Sequence, residues 1–283
     1  MTDPIVLVPL DGSKQALSVL PIARRLAALV KAHLRILHVT EADRPLTETA
    51  AALGLEPAHL RGCTLEARAG DPAKAILAAA ADCGSRLIVM GSHVANAQPA
   101  VAIGDMALAV LGAAPCPVVV VDPARMAAGW DLRRILALHD GSPAVSHALA
   151  PASELVRAAG AEFMVLQVAH DTCAEEAGSI APPAYVDQVQ YSWPAWSAEF
   201  LHRLHSICPL ADVSVRLLMA HGEPAAEAVR VAGEESADLI VLAWKGRGED
   251  AATLQAVLRD SPCPVMVTRA LSDESVKASG LQD

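Results

Sequence analysis

Five blocks of this chain occur twice, in the same order. LVPLDGS at 7–13 recurs as LALHDGS at 136–142, and KAHLRILHV at 31–39 as GAEFMVLQV at 160–168, both with an offset of 129. GDPAKAI at 70–76 recurs as GEPAAEA at 222–228, and RLIVM at 86–90 as DLIVL at 238–242, now offset by 152. PCPVVVV at 115–121 recurs as PCPVMVT at 262–268, offset by 147. Ordered matches at so long a period mean duplication of a whole folding unit, not a short solenoid repeat. The reading is a first domain over 1–127, a second over 128–272 and a flexible tail over 273–283. The shifts in offset give the second copy 23 extra residues inside 169–212 and five fewer after its fourth strand.

Within each copy, short continuous apolar runs alternate with stretches of helical spacing. In the first copy, residues 4–10 read as a strand closed by Asp-Gly-Ser, a turn and helix cap. Leu17, Leu20, Ala23, Ala27 and Val30 mark a helix over 14–30. Strands are expected at 33–39, 64–69, 87–91 and 117–121, and helices from Pro72 and over 104–113. Continuous apolar strands separated by helices mean an α/β fold with a parallel sheet covered on both faces. Right-handed crossovers favour a doubly wound layout.

Composition narrows the class. The chain is 53% hydrophobic but 3% aromatic, so its core must be aliphatic. No apolar run is long enough for a membrane span. The opening MTDPIVLVPLDGS reads directly as a strand rather than an export signal, so a cytoplasmic location is expected. The six cysteines stand singly, without the CxxC spacing of a structural zinc site, and are expected to be reduced thiols. The net charge of −10 belongs entirely to residues 128–283, and an acidic balance disfavours nucleic acid. All eight aromatic residues lie at or after Trp130.

A first strand ending VPLDGS, a later LIVMGSH and a late PCPVVVV resemble the universal stress protein pattern, over nearly the whole chain and twice. The resemblance implies two five-stranded parallel sheets of order 3-2-1-4-5, with the adenine nucleotide alpha hydrolase-like fold. It implies self-association through the last strands, and in many members an ATP or AMP site. In such a sheet, ligands bind beyond the carboxyl ends of the strands where the winding reverses, here between strands one and four. Asp11 and Gly91 end those strands in the first copy.

The family's ATP-binding members carry G-x2-G-x9-G-[ST] after strand four. The first copy keeps the spacing with Gly91 and Gly104 but has Val94 at the second glycine. Asp105 stands where a hydroxyl would hold phosphate. Valine blocks close backbone approach, and Asp105 brings like charge, although an acid in a helix's first turn is also favoured by the dipole. His93 lies at the crevice mouth as a further candidate contact. In the second copy Ala243 replaces the first glycine, Gly246 remains between Lys245 and Arg247, and the loop is five residues shorter. Asp140, Lys245, Gly246 and Arg247 are therefore candidates for a smaller anion, against the plainer reading of a solvated cationic turn. Asp11 and Asp140 can equally be ordinary turn and cap residues.

Three further features stay open at this level. His202 and His205, with His170 and His221 elsewhere, lack an obvious third metal ligand, so no metal is assigned. The aromatic segment 185–205 is either a lid over a pocket or added core. Cys116 and Cys263 are expected to be small buried residues before two apolar edge strands. Pairing of Val118–Val121 with Val265–Arg269 hides both edges and makes an internal pseudo-dimer. The functional expectation is a non-catalytic stress-response regulatory or interaction protein with degenerate nucleotide sites and an unidentified protein partner. Its alternatives are an ATP- or AMP-binding protein using the first domain, with weak ATPase activity as its extreme form, and a carrier of a small ligand in the second.

Overall fold

A computed structural model describes residues 3–13, 15–41, 44–92, 104–126, 129–169, 189–208, 210, 212–245 and 249–270. The chain divides into two compact units, one of Met1–Asp131 with Pro262–Val267 and one of Leu132–Ser261 with Thr268–Asp283.

The first unit runs β1 (Ile5–Pro9), a 3-10 turn (Ala16–Ser18), α1 (Val19–Leu29), β2 (His33–Thr40), α2 (Leu46–Ala52), α3 (Pro57–Leu60), β3 (Cys63–Ala69), α4 (Pro72–Asp82), β4 (Ser85–Gly91), α5 (Asp105–Ala113) and β5 (Val118–Val121). Its strands lie in the order β3-β2-β1-β4-β5, and the pairs among them are parallel. That is the 3-2-1-4-5 order the resemblance implies. Leu7 pairs with Arg35 on one side and Ile88 on the other, so β1 and β4 flank the point where the winding reverses. Val6, Leu7, Val8, Ile36, Leu37, Ile88 and Val89 are buried, and an aliphatic core fills the unit. Pro262–Val267 completes it: Val265, Met266 and Val267 pair antiparallel with Val120, Val119 and Val118. The second edge of β5 is thereby covered.

The second unit runs β6 (Arg134–Leu138), α6 (Pro143–Ala148), α7 (Ala150–Ala159), β7 (Glu162–Ala169), α8 (Val189–Ile207), β8 (Val215–His221), α9 (Pro224–Glu234), β9 (Leu239–Trp244) and α10 (Glu249–Asp260), and takes in β10 (Val265–Arg269) only from Thr268 on. β6 lies between β7 and β9, parallel to both, and β8 follows β7. At the end of β10, Thr268 Oγ1 donates to the Leu242 carbonyl at 3.4 Å and Ala270 N–H to the Trp244 carbonyl at 3.0 Å.

Local chemistry explains why the third repeated block persists. Gly70 and Gly222 take φ of +122° and +140°, a region that L side chains rarely adopt. The acid that follows caps a helix: Lys74 N–H donates to Asp71 Oδ1 at 2.9 Å, and Ala226 N–H to Glu223 Oε2 at 2.8 Å. Pro72 and Pro224 then begin α4 and α9, where a missing N–H costs nothing.

Two expectations are corrected. The helix over 14–30 starts only at Val19, preceded by the 3-10 turn at 16–18. Pro21 has no N–H to give the Leu17 carbonyl, so an α-turn cannot close there, and Ser18 N–H bonds Gln15 instead at 3.1 Å. In the second copy the equivalent helix breaks at Leu149 into α6 and α7, with Pro151 at the start of α7. The paired Cys-Pro positions also differ. Cys263 is buried but Cys116 is only half-buried, with burial still pushing its thiol up to about 12.

Candidate functional site

In the first unit the β1 strand ends in a tight turn. Ser13 N–H donates to Asp11 Oδ1 at 2.9 Å, and Ala16 N–H to Ser13 Oγ at 3.1 Å. Gly12 sits at φ +84°, and a Cβ there would lie 3.4 Å from the Ala52 carbonyl oxygen. The turn so formed puts Asp11 beyond the carboxyl end of β1. Gly91 closes β4 opposite Val121, and Ser92 N–H donates to the Val121 carbonyl at 2.8 Å. Because β1 and β4 are parallel neighbours, Asp11 and Gly91 face the same end of the sheet. Gly104 is the N-cap of α5 in extended backbone and makes no side-chain cap, and Asp105 occupies the first turn. His93 and Val94 lie outside the described residues.

The second unit builds the same corner differently. Ser142 N–H donates to Asp140 Oδ1 at 2.9 Å, and Gly141 has φ +86°. From the neighbouring β9 side, Lys245 Nζ lies 3.0 Å from Asp140 Oδ2. Burial alone would raise the Asp140 carboxyl, but the Ser142 hydrogen bonds and Lys245 more than offset it and hold it below its ordinary value. The Asp140 carboxylate is thus already engaged by the chain's own cation. Trp244 stands where the first unit has Ser92. Gly246 and Arg247 lie outside the described residues.

The residue that sequence reasoning missed is His139, which replaces Leu10 of the first copy. It is 5% exposed. Gly141 N–H donates to its Nδ1 at 2.8 Å, so Nδ1 carries no proton. Nε2 therefore bears the hydrogen and donates to Ser146 Oγ at 2.9 Å, and Ser146 in turn donates to the Ser142 carbonyl at 3.1 Å. Burial lowers the imidazole to about 4, with Lys245 adding to the effect and Asp140 opposing it. The one signal for this was a histidine at a position where the other copy holds a buried leucine.

α8 covers this corner. Phe200 meets the His139 ring edge-on at 4.9 Å between centroids, and Trp196 stacks on Phe200 at 5.0 Å. Trp196, Phe200 and Leu204 are all buried, one helical turn apart. Between them and the turn remains a cavity of about 10 Å³ lined by His139, Ser146, Phe200 and Arg203 among others. That is at most the room of a single water. The described aromatics of the insert thus serve as core against β6 and α6, rather than as the roof of a pocket. His202 and His205 are exposed on the other face of α8, and His205 Nδ1 is 2.7 Å from the Leu201 carbonyl. Among the described residues no three His, Cys, Asp or Glu side chains gather as a metal site. Nor, among them, is any helix long and apolar enough to cross a membrane.

The model of the Universal stress protein family matches residues 48–122 and 131–269, one match in each copy. No curated protein matches the chain. A universal stress protein from Archaeoglobus fulgidus DSM 4304 superposes with a TM-score of 0.61 at 20% identity, covering 95% of this chain and 97% of that one. A putative universal stress protein from Pseudomonas aeruginosa UCBPP-PA14 gives 0.66 at 18%, covering 98% and 96%. The functionally unknown protein PA1789 from Pseudomonas aeruginosa PAO1 gives 0.65 at 18%, covering 98% and 95%. At these identities the likeness is one of fold. The two family matches span well over half the sequence, and the chain belongs to the universal stress protein family as a tandem of two such domains.

Proposed function

We propose that this chain is a stress-response regulatory and interaction protein of its family, without catalysis and with degenerate nucleotide sites in both domains. The observation that carries the reading is the ion pair of Lys245 with Asp140 at 3.0 Å, at the strand ends where a nucleotide would bind. A ligand entering there must first break that pair and then satisfy a carboxylate and an ammonium separately. The same pair weighs against a small anion held by Lys245, Gly246 and Arg247. In the first domain Asp105 opposes phosphate at the start of α5. No catalytic residues are assigned. We place the protein in the cytoplasm, acting through a protein partner and through pairing of its last strands, and not on nucleic acid or membrane.

A second reading, ATP or AMP binding by the first domain, is favoured by Asp11 and Gly91 at the same strand ends and by Gly104 at the N-terminus of α5. Isothermal calorimetry of the full chain with magnesium and ATP, then AMP, separates the two. Absence of micromolar binding supports the first. Micromolar binding abolished by Asp11→Ala establishes the second. The carrier reading finds little support among the described residues, where the space under α8 is about 10 Å³.

A further inference from the structure

The corner under α8 holds a histidine that can exist there in one state only. Both ring nitrogens of His139 are committed: Nδ1 accepts from Gly141 N–H, and Nε2–H donates to Ser146. A second proton would have to sit on Nδ1, pointing at the Gly141 N–H 2.8 Å away, two donors facing one another. The Gly141 amide cannot turn aside without disturbing the φ of +86° that shapes the turn.

Among the described residues no counter-charge is free to compensate. In its own turn, Asp140 is held by Ser142 N–H and by Lys245. After β9, Lys245 itself is a cation. On α8, Arg203 lines the same small cavity and is paired with Glu199 at 2.6 Å. α6 presents the hydroxyls of Ser142 and Ser146 and has one other titratable residue, His147. From β7, the Leu166 carbonyl accepts the His139 backbone N–H, and Gln167 is uncharged. The cavity beside the ring holds no more than a single water, too little to hydrate an imidazolium. From α8, Phe200 packs edge-on against the ring and Leu204 lines the same small cavity.

We propose that α8 is an acid-released cover: it stays docked on the turn after β6 while the His139 ring is neutral, and a proton on Nδ1 forces it off. The helix is then a conformational output of the second unit, one that needs no ligand. Docked, the imidazole titrates near 4; released into water it returns to its ordinary value near 6.5. The sign follows. The undocked form binds the extra proton, so the undocked fraction rises as pH falls from about 6.5 towards 4 and levels off below that.

Amide hydrogen exchange of the full chain over residues 196–206, corrected for intrinsic chemical exchange, tests this near pH 7 and near pH 5. The opening equilibrium of α8 is expected to rise roughly twentyfold at the lower pH. Over the same interval α9 stays within about threefold, since no buried neutral histidine is called on there. His139→Leu, which copies Leu10 of the first unit, flattens the response of α8, and His147→Gln leaves it intact. If the leucine variant fails to fold, His139→Gln serves in its place, and the wild-type contrast between α8 and α9 decides independently. A flat wild-type response overturns the proposal. So does an equal rise in α8 and α9, or a slope that survives without His139 or vanishes without His147.

Discussion

Lys245 Nζ lies 3.0 Å from Asp140 Oδ2, bringing together the ends of two neighbouring parallel strands of the second unit. On the proposed function, the pair occupies with the chain's own charge the corner where a nucleotide would bind. Both side chains keep some solvent contact, 26% for Lys245 and 43% for Asp140, so the pair adds little to stability.

Lys245→Met should therefore cost no more than about 1 kcal/mol. It should move the Asp140 carboxyl upward, because Lys245 is one of the groups holding it below its ordinary value. Since the folded carboxyl is depressed, its stabilising contribution exists above the unfolded carboxylate range and is lost as pH falls through the folded value. In the methionine variant the contribution is smaller and its loss is complete at a higher pH. A carboxyl-carbon NMR titration of Asp140 in both proteins checks the direction.

The described part of α8 is core, and truncating it should show as much. Phe200 is 2% exposed between His139 and Trp196. Phe200→Ala should destabilise the second unit by about 3–5 kcal/mol. Urea unfolding of the second unit measures it. A change under about 1 kcal/mol would mean that α8 packs too loosely to count as core.

The two acidic caps should behave alike despite differing in length. Asp71→Ala and Glu223→Ala each remove the acceptor for one helix N-terminal amide. Each should cost about 1 kcal/mol, in the first and second unit respectively. Replacing Gly70 or Gly222 by alanine should also destabilise, through strain at positive φ.

Met266 pairs with Val119 inside the first unit, and both are fully buried. Met266→Asp puts an unpaired carboxylate into that strand pair and should destabilise the first unit by more than about 3 kcal/mol. The first unit's stability would then depend on residues near the far end of the sequence. Hydrogen exchange of Val118–Val120 amides in the variant shows whether protection there is lost.

Much of this fold could be read from the repeat. The apolar runs ending VPLDGS, LIVMG and PCPVVVV fixed strands β1, β4 and β5 and their counterparts, because buried parallel strands are continuous apolar runs. The GDPA and GEPA blocks carried turn, cap and helix start together. What periodicity could not reveal is anything set by neighbours distant in sequence. Leu10 and His139 look like variants of one core position until Phe200 arrives from the insert to make the histidine buried and neutral. Lys245 looks like a solvated turn residue until the parallel pairing of β6 with β9 sets it beside Asp140. The delayed start of α1 was visible only as Pro21, inside a pattern over 14–30 that otherwise read as unbroken helix. His93, Val94, Gly246 and Arg247 lie outside the described residues, so their part in either crevice rests on sequence.

On the proposed function, neither crevice of this tandem protein is a working nucleotide site. Calorimetric titration of the full chain with ATP in the presence of magnesium tests it most directly. The account predicts no saturable binding in the micromolar range. Micromolar binding that disappears in Asp11→Ala would contradict it for the first domain, and binding that disappears in Asp140→Ala would contradict it for the second.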